Sequence, residues 1–268
     1  MSAIEEKRMY GDRREETVAY LATAQGVATV RVSGDQVGRF GLAHRTDARD
    51  VATVDGAVVV ATDEDALVGP EEFEPLGFGP AVAVGTDRGD DVLAADESGR
   101  VARYRDGEWT DLGTVDDARA VADGFVAAAD GVHRVDGDAL ATAGLEGVRD
   151  VAVADGVPLA ATDDGLYRLG NGWLRERDGA FRAVAAGGGH AHAATADEFV
   201  ERDGEAWTDV DLPVEGSVVD AGYGECVYAV TADGTFLVGA DPETTADGAG
   251  GWRSRSLGLP GVAALAVV

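Results

Sequence analysis

Four arginines stand at one recurring place in the chain. Arg49, Arg119, Arg149 and Arg182 each precede a short run of small apolar residues, as in Arg49-Asp50-Val51-Ala52 and Arg149-Asp150-Val151-Ala152. A guanidinium is always charged, and its planar fork meets a carboxylate or phosphate with two bonds at once. Several of them converging on one mouth would form an anion site. His44 and Arg45, just ahead of Arg49, would extend it, with His44 able to move a proton near neutral pH. The plainer reading is that each arginine pairs with Asp50, Asp150 or an Asp of a neighbouring repeat and ties the fold together.

Other residues invite chemistry and are better explained by packing. His190-Ala191-His192 puts two imidazoles on one strand face, a spacing that suits a metal. A third ligand is missing, and His192 aligns with Tyr20, Val59, Leu93, Leu159 and Tyr228 of other repeats, an apolar position. No metal and no cofactor are therefore expected. Cys226, the only cysteine, allows no internal disulfide and lies in an apolar strand position without a neighbouring base. No nucleophile-elbow or phosphate-loop motif is present, and Gly187-Gly188-Gly189 reads as a turn. Trp109, Trp173, Trp207 and Trp252 read as outer-strand residues packed over a blade edge. Arg88-Gly89-Asp90 reads as a turn.

The elements that would position the arginines recur about seven times. A small-apolar strand ends in Asp-Gly or a similar turn, and a second apolar strand ends in Ala-Thr or Ala-Ala. An acidic Gly turn, a third strand and a fourth segment follow. Asp55-Gly56 then Val58-Val59-Val60-Ala61-Thr62 matches Asp155-Gly156 then Pro158-Leu159-Ala160-Ala161-Thr162. Four strands too short to fold alone are the signature of a propeller blade. First strands would line the central channel, which is what would gather the arginines.

Blades two to seven are expected to start near Arg49, Ala81, Arg119, Arg149, Arg182 and Val218. The N-terminal repeat begins with a second strand, Thr17–Thr23, and its fourth strand lies near Gln36–Phe40. The C-terminus, 261–268, is a first strand with nothing after it. The two fragments complete one blade and remove the exposed edges. The expected fold is all-β: a single seven-bladed β-propeller over 17–268 after a charged segment, 1–16, with six blades as the alternative because 118–145 is the weakest match. Polar insertions lengthen two hairpins, Thr86–Asp91 and Asp241–Gly251.

Composition bounds the partners. Asp and Glu number 50 against 22 Lys and Arg, the net charge is −28, and Lys7 is the only lysine. The acids are spread over every repeat, which suggests a hydrated surface of the kind found in salt-loving archaea. Such a charge excludes general binding to nucleic acid or to anionic membranes. No apolar run reaches the ~20 residues that span a bilayer, and no secretory leader is visible, so a cytoplasmic protein is expected.

The phrase Ala161-Thr162-Asp163-Asp164-Gly165-Leu166-Tyr167-Arg168 resembles the repeats of WD40/YVTN-like propellers, although the Trp-Asp dipeptide with its Gly-His partner is absent. The opening Glu5-Glu6-Lys7-Arg8-Met9-Tyr10-Gly11-Asp12-Arg13 and the stretch from Val37 to Val51 resemble an uncharacterised haloarchaeal β-propeller family. That resemblance implies the fold and a halophilic source and carries over no catalytic residue. The expected function is a non-enzymatic interaction platform for a protein partner. The alternative is a small-anion or enzymatic site at the channel mouth.

Overall fold

The computed structural model describes residues 16–87, 91–204, 206–240 and 251–268. The charged segment up to Glu15, the Arg88-Gly89-Asp90 turn and most of the Asp241–Gly251 insertion lie outside the described residues. Seven four-stranded antiparallel sheets form a ring. The innermost strands of blades 2 to 7 are Ala48–Val54, Ala83–Asp87, Ala118–Ala122, Val148–Ala154, Ala183–Gly187 and Val218–Tyr223. Blade 1 is built from both ends of the chain: Val262–Val267 is its innermost strand and pairs with Thr17–Thr23, followed outward by Gly26–Ser33 and Gln36–His44. This is the seven-bladed closure expected from the sequence, with 118–145 as a complete fourth blade.

The apolar pattern follows from the stacking of blades. The buried residues fall into seven clusters, each made of facing sides of two adjacent blades. Along Thr17–Thr23, Leu21 enters the layer between blades 7 and 1, while Tyr20 and Ala22 enter the layer between blades 1 and 2. A second strand is thus buried on both sides and reads as a continuous run, such as Val58-Val59-Val60-Ala61, rather than as an alternation. Ala and Val dominate where blades converge on the axis and larger side chains would collide.

Local chemistry sets the turns. Asp55-Gly56, Asp123-Gly124 and Asp155-Gly156 all have positive φ, 48° and 75°, 45° and 78°, 48° and 77°. That is the backbone of the two-residue hairpin turn whose twist matches the strands, and Asp and Gly tolerate it best. The Ala-Thr at the end of second strands has its own role. Thr62 Oγ1 donates to Asp65 O at 2.7 Å and accepts from Glu64 N and Asp65 N; Thr162 does the same with Gly165 O at 2.9 Å. A hydroxyl there satisfies backbone groups that the tight turn would otherwise leave unpaired.

At the rim, three tryptophans tie consecutive outer strands. Trp109 Nε1 donates to Leu76 O, Trp173 Nε1 to Ala143 O and Trp207 Nε1 to Glu176 Oε2, each at 2.9 Å. Blades 7 and 1 are joined by Arg253 to Asp35 at 2.7 Å and by Arg255 Nη1, which donates to Val37 O and Gly38 O at 2.6 and 2.9 Å.

Candidate functional site

A cavity of about 460 Å³ runs down the ring axis, and Arg49, Arg119, Arg149 and Arg182 all line it. Three of the four owe their place to a backbone irregularity. In blade 2, Ala48 pairs with Thr62 and Asp50 with Ala61, so Arg49 is an extra residue in the ladder. The same skip occurs at Arg119, at Arg149 and at Val219 in blade 7. A bulge re-aims its extra side chain away from the regular pleat. Arg182 has no bulge and stands just ahead of its strand, its N–H donating to Ala194 O.

Of the partners the plainer reading allowed, Asp50, Asp150 or an Asp of a neighbouring repeat, neither Asp50 nor Asp150 pairs with these arginines; three of the four meet other acids, one of them, Glu97, on the neighbouring blade. Arg49 meets Glu97 at 2.6 Å, Arg119 meets Asp117 at 2.8 Å and donates to Val148 O at 2.7 Å, and Arg149 meets Asp163 at 2.7 Å. These acids lie in loops around the mouth. Pairs this exposed contribute ~0.2–1 kcal/mol each. The Arg182 guanidinium has no ion-pair or hydrogen-bond partner among the described residues. His44 and Arg45 do not line the channel. His44 ends the outer strand of blade 1 and packs on Phe73, ring centroids 5.3 Å apart. A loop that leads from an outer strand to the next inner strand begins at the rim, and these two residues remain there.

Directly beside the bulged residues lies a feature that sequence reasoning missed. One position of the innermost strand carries Asp50 in blade 2, Asp150 in blade 5 and Asp220 in blade 7; in the other blades it carries Ala83, Ala120, Ala183 and Ala264. Each carboxylate accepts two backbone N–H groups. One oxygen takes the N–H of the next residue: Val51 at 2.8 Å, Val151 at 2.8 Å and Ala221 at 2.7 Å. The other takes an N–H from the following blade: Val84 at 2.9 Å, Val184 at 2.8 Å and Leu265 at 2.7 Å. The inner edge of each blade faces the channel and has no further strand to pair with. The three carboxylates supply acceptors there and join blades 2 to 3, 5 to 6 and 7 to 1.

Their electrostatics oppose this role. Burial pushes Asp50 up to about 6 and Asp150 up to about 7, against the partial relief of the two N–H bonds. Asp220 is raised well above the usual carboxylate range by burial and by the charge of Asp150. The three face one another across a narrow space, so ionising one hinders the next. The signal in the sequence was the recurrence of Arg-Asp-Val at 49–51 and 149–151; Val219-Asp220-Ala221 shares only the Asp at the same place in its repeat.

The remaining candidates resolve into packing. His192 is 1% exposed and stacks on Phe199 at 5.1 Å; burial pulls it down to about 4. His190 is exposed, 3.7 Å from Glu201. Among the described residues no group of three or more His, Cys, Asp or Glu could hold a metal ion. No helix is long and apolar enough to cross a membrane.

Comparison with known proteins gives the same architecture. The chain is similar to the WD40 β-propeller domain of Doa1, at 15% identity and TM-score 0.60 over 86% of this chain and 88% of that one. It is similar to YCF48, in a structure bound to D1 peptide, at 13% identity and TM-score 0.59 over 80% and 82%. At these identities only the fold is shared. The chain also spans 37% of PorZ, a surface component of the type-IX secretion system of Porphyromonas gingivalis, covering 84% of this chain at 18% identity and TM-score 0.48. No curated protein matches the sequence. A family model described as HVO_0234-like, beta propeller, matches residues 3–268, and the chain belongs to that family.

Proposed function

We propose that the protein is a non-enzymatic interaction platform in the cytoplasm of a salt-adapted cell, and that a protein partner docks on its rim at blade 1. The observation that carries this reading is the outer strand Gln36–His44. It is nine residues long, exposed along most of its length, and paired on one edge only. Phe40 and Leu42, 38% and 36% exposed, are large apolar side chains on a chain of net charge −28. Arg255 lies over the Phe40 ring at 5.1 Å and fixes it. A rigid apolar patch beside a strand edge that no further strand pairs with is a surface that a partner can extend or cover. YCF48, a propeller of similar fold, is known bound to a peptide. The acid excess and single lysine support the salt-adapted setting.

The test is affinity capture of tagged protein from its native host at high salt. The rim variant Phe40→Ser/Leu42→Ser is compared with the mouth variant Arg149→Ala/Arg182→Ala. Loss of a stoichiometric partner in the rim variant alone supports the reading. Loss in the mouth variant alone refutes it.

One observation favours a second reading, a small anion at the channel mouth: the Arg182 guanidinium has no ion-pair or hydrogen-bond partner among the described residues while three more arginines line the same cavity. Stabilisation by millimolar phosphate or citrate that vanishes in Arg182→Ala supports an anion site. Equal stabilisation of both proteins removes it.

A further inference from the structure

The arginines are not spread as evenly as the acids. Blade 1 and the outer strand of blade 7 beside it, residues 16–46 and 251–268, carry five arginines against two acids, Glu16 and Asp35. The rest of the chain carries 48 acids against 17 Lys and Arg. Both acids of the basic stretch are already engaged: Glu16 pairs with Arg31 at 2.5 Å and Asp35 with Arg253 at 2.7 Å. The rim at blade 1 is therefore a basic island on an acidic chain.

Three described arginines make neither an ion pair nor a hydrogen bond among the described residues: Arg39, Arg45 and Arg182. Arg182 belongs to the channel mouth. Arg39 lies within the outer strand Gln36–His44, Arg45 directly follows it, and both are exposed. Arg255 of blade 7 adds a third positive charge; it bonds only the carbonyls of Val37 and Gly38 and lies over Phe40.

The strand that carries these charges offers apolar contacts and backbone together. Phe40 and Leu42 pair with Val30 and Ala28, which enter the layer between blades 7 and 1, so both face the same side of the sheet. Gln36–His44 has nine residues, whereas the outer strands of the other blades have two to seven. Among the described residues no strand pairs with its second edge. From Arg39 to Arg45 it covers about 20 Å, the length of a segment of about six residues laid alongside.

Such an edge can pair with a second copy of itself or with a foreign strand. Charge decides between them. Two copies set side by side bring Arg39 and Arg45 against like charges, with no acid in Gln36–His44 to offset them. An acidic strand meets guanidiniums that have no carboxylate to give up.

We propose that the rim at blade 1 takes an extended acidic segment of a partner protein, added as a fifth strand along Gln36–His44. Its carboxylates meet Arg39 and Arg45, and its apolar side chains meet Phe40 and Leu42. The inference rests on the rim reading given above and names the chemistry of the partner.

The experiment is an anisotropy titration of the full chain in high KCl, where only contact pairs survive screening. The probes are a capped octapeptide alternating Asp and Val, its counterpart with Lys for Asp, and a single-stranded oligonucleotide of similar charge. Each is titrated into the wild type and into Arg39→Glu/Arg45→Glu, which changes two exposed side chains and leaves no buried group unpaired. Binding of the Asp peptide at least about 10-fold tighter than of the Lys peptide, weakened about 5-fold or more in the variant, supports the site. So does slowed hydrogen exchange of the 36–44 amides on binding, which a diffuse charge attraction would not produce. Equal affinity for the two peptides, equal binding of the oligonucleotide, or affinity unchanged in the variant overturns the proposal. A concentration-dependent dimer of the free protein that Phe40→Ser/Leu42→Ser abolishes overturns it in favour of a second copy. If the Asp peptide fails while Phe40→Ser/Leu42→Ser still loses its captured partner, the acidic chemistry falls and the platform stands; if that variant keeps its partner as well, both fall.

Discussion

Raising the pH from 5 to 8 should destabilise this protein, and the cause should be the carboxyls on the channel wall. Asp50 and Asp150 hold their protons in the folded ring up to about 6 and about 7, against 3.8 for an unperturbed carboxyl. Between pH 4 and those values the folded state binds protons that the unfolded chain has released. Stability is therefore fully present below about 4 and is lost as pH rises through 6 to 7. At 1.36 kcal/mol per tenfold change in proton affinity, Asp150 accounts for up to about 4 kcal/mol and Asp50 for up to about 3 kcal/mol. Asp220, raised further by burial and by Asp150, extends the decline upward. These sums are upper bounds, because the three titrate as a coupled set. The assay is denaturant unfolding at about pH 5, 6, 7 and 8 in constant high salt, for the wild type and for Asp150→Asn. An asparagine has no proton to lose, so the variant should show a shallower fall, and its deficit relative to wild type should shrink or reverse by pH 8. His192, pulled down to about 4 in the fold, works the other way: the unfolded chain takes up its proton near 6.5, so its contribution rises with pH between about 4 and 6.5, and the comparison of slopes with Asp150→Asn separates the two effects. A wild type that gains stability from pH 5 to 8, or an identical slope in Asp150→Asn, would refute the electrostatic reasoning.

Three further outcomes follow from the packing. Arg103 and Asp87 form an ion pair at 3.1 Å with both side chains 8% exposed, and Arg103 also bonds Gly137 O and Asp138 of blade 4. Arg103→Met leaves Asp87 buried and unpaired and should cost about 3–5 kcal/mol in denaturant unfolding, with much of it recovered in Arg103→Met/Asp87→Leu. Trp173→Phe removes the bond to Ala143 O and should lower stability by about 1 kcal/mol, measured the same way. With a net charge of −28, the melting temperature should rise with added KCl as screening shortens from ~10 Å at 0.1 M to ~3 Å at 1 M. A maximum at low ionic strength would contradict the salt-adapted reading.

What the sequence made legible was whatever repeats. Thr17–Thr23 was readable as a second strand because its Ala22-Thr23 ending is shared with Ala61-Thr62 and Ala161-Thr162, and that ending is shared because each Thr closes the same turn. The final strand was readable because a first strand without a second needs a partner. The channel carboxylates were harder. Asp50 and Asp150 sat beside arginines, and adjacency in sequence suggested pairing; the bulge at Arg49 and Arg149 separates them, sending one side chain to the mouth and the other across to the next blade. Nothing in a single sequence announces a bulge whose extra residue is an ordinary arginine. His44 lies away from the channel for a related reason. The outer strand of blade 1 runs on to His44, past the expected end near Phe40, so the residue stays at the rim. The contact of His192 with Tyr223 of blade 7, 31 residues along the chain, is likewise something periodicity does not encode.

Every site described above depends on one claim, that the two ends of the chain close a ring of seven blades. Deleting 262–268 tests it most directly. The deletion removes the innermost strand of blade 1, the backbone acceptor and donor pairs along Thr17–Thr23, and apolar residues from two inter-blade layers, including Val262, Leu265, Ala264 and Ala266. It also leaves Asp220 without the Leu265 N–H. The measurement is size-exclusion chromatography with light scattering at high salt, together with a thermal melt, for full-length and truncated protein. A closed ring predicts loss of the sharp melt and association through the exposed edge of Thr17–Thr23. A truncated protein that stays monodisperse and melts at the full-length temperature would contradict the closure.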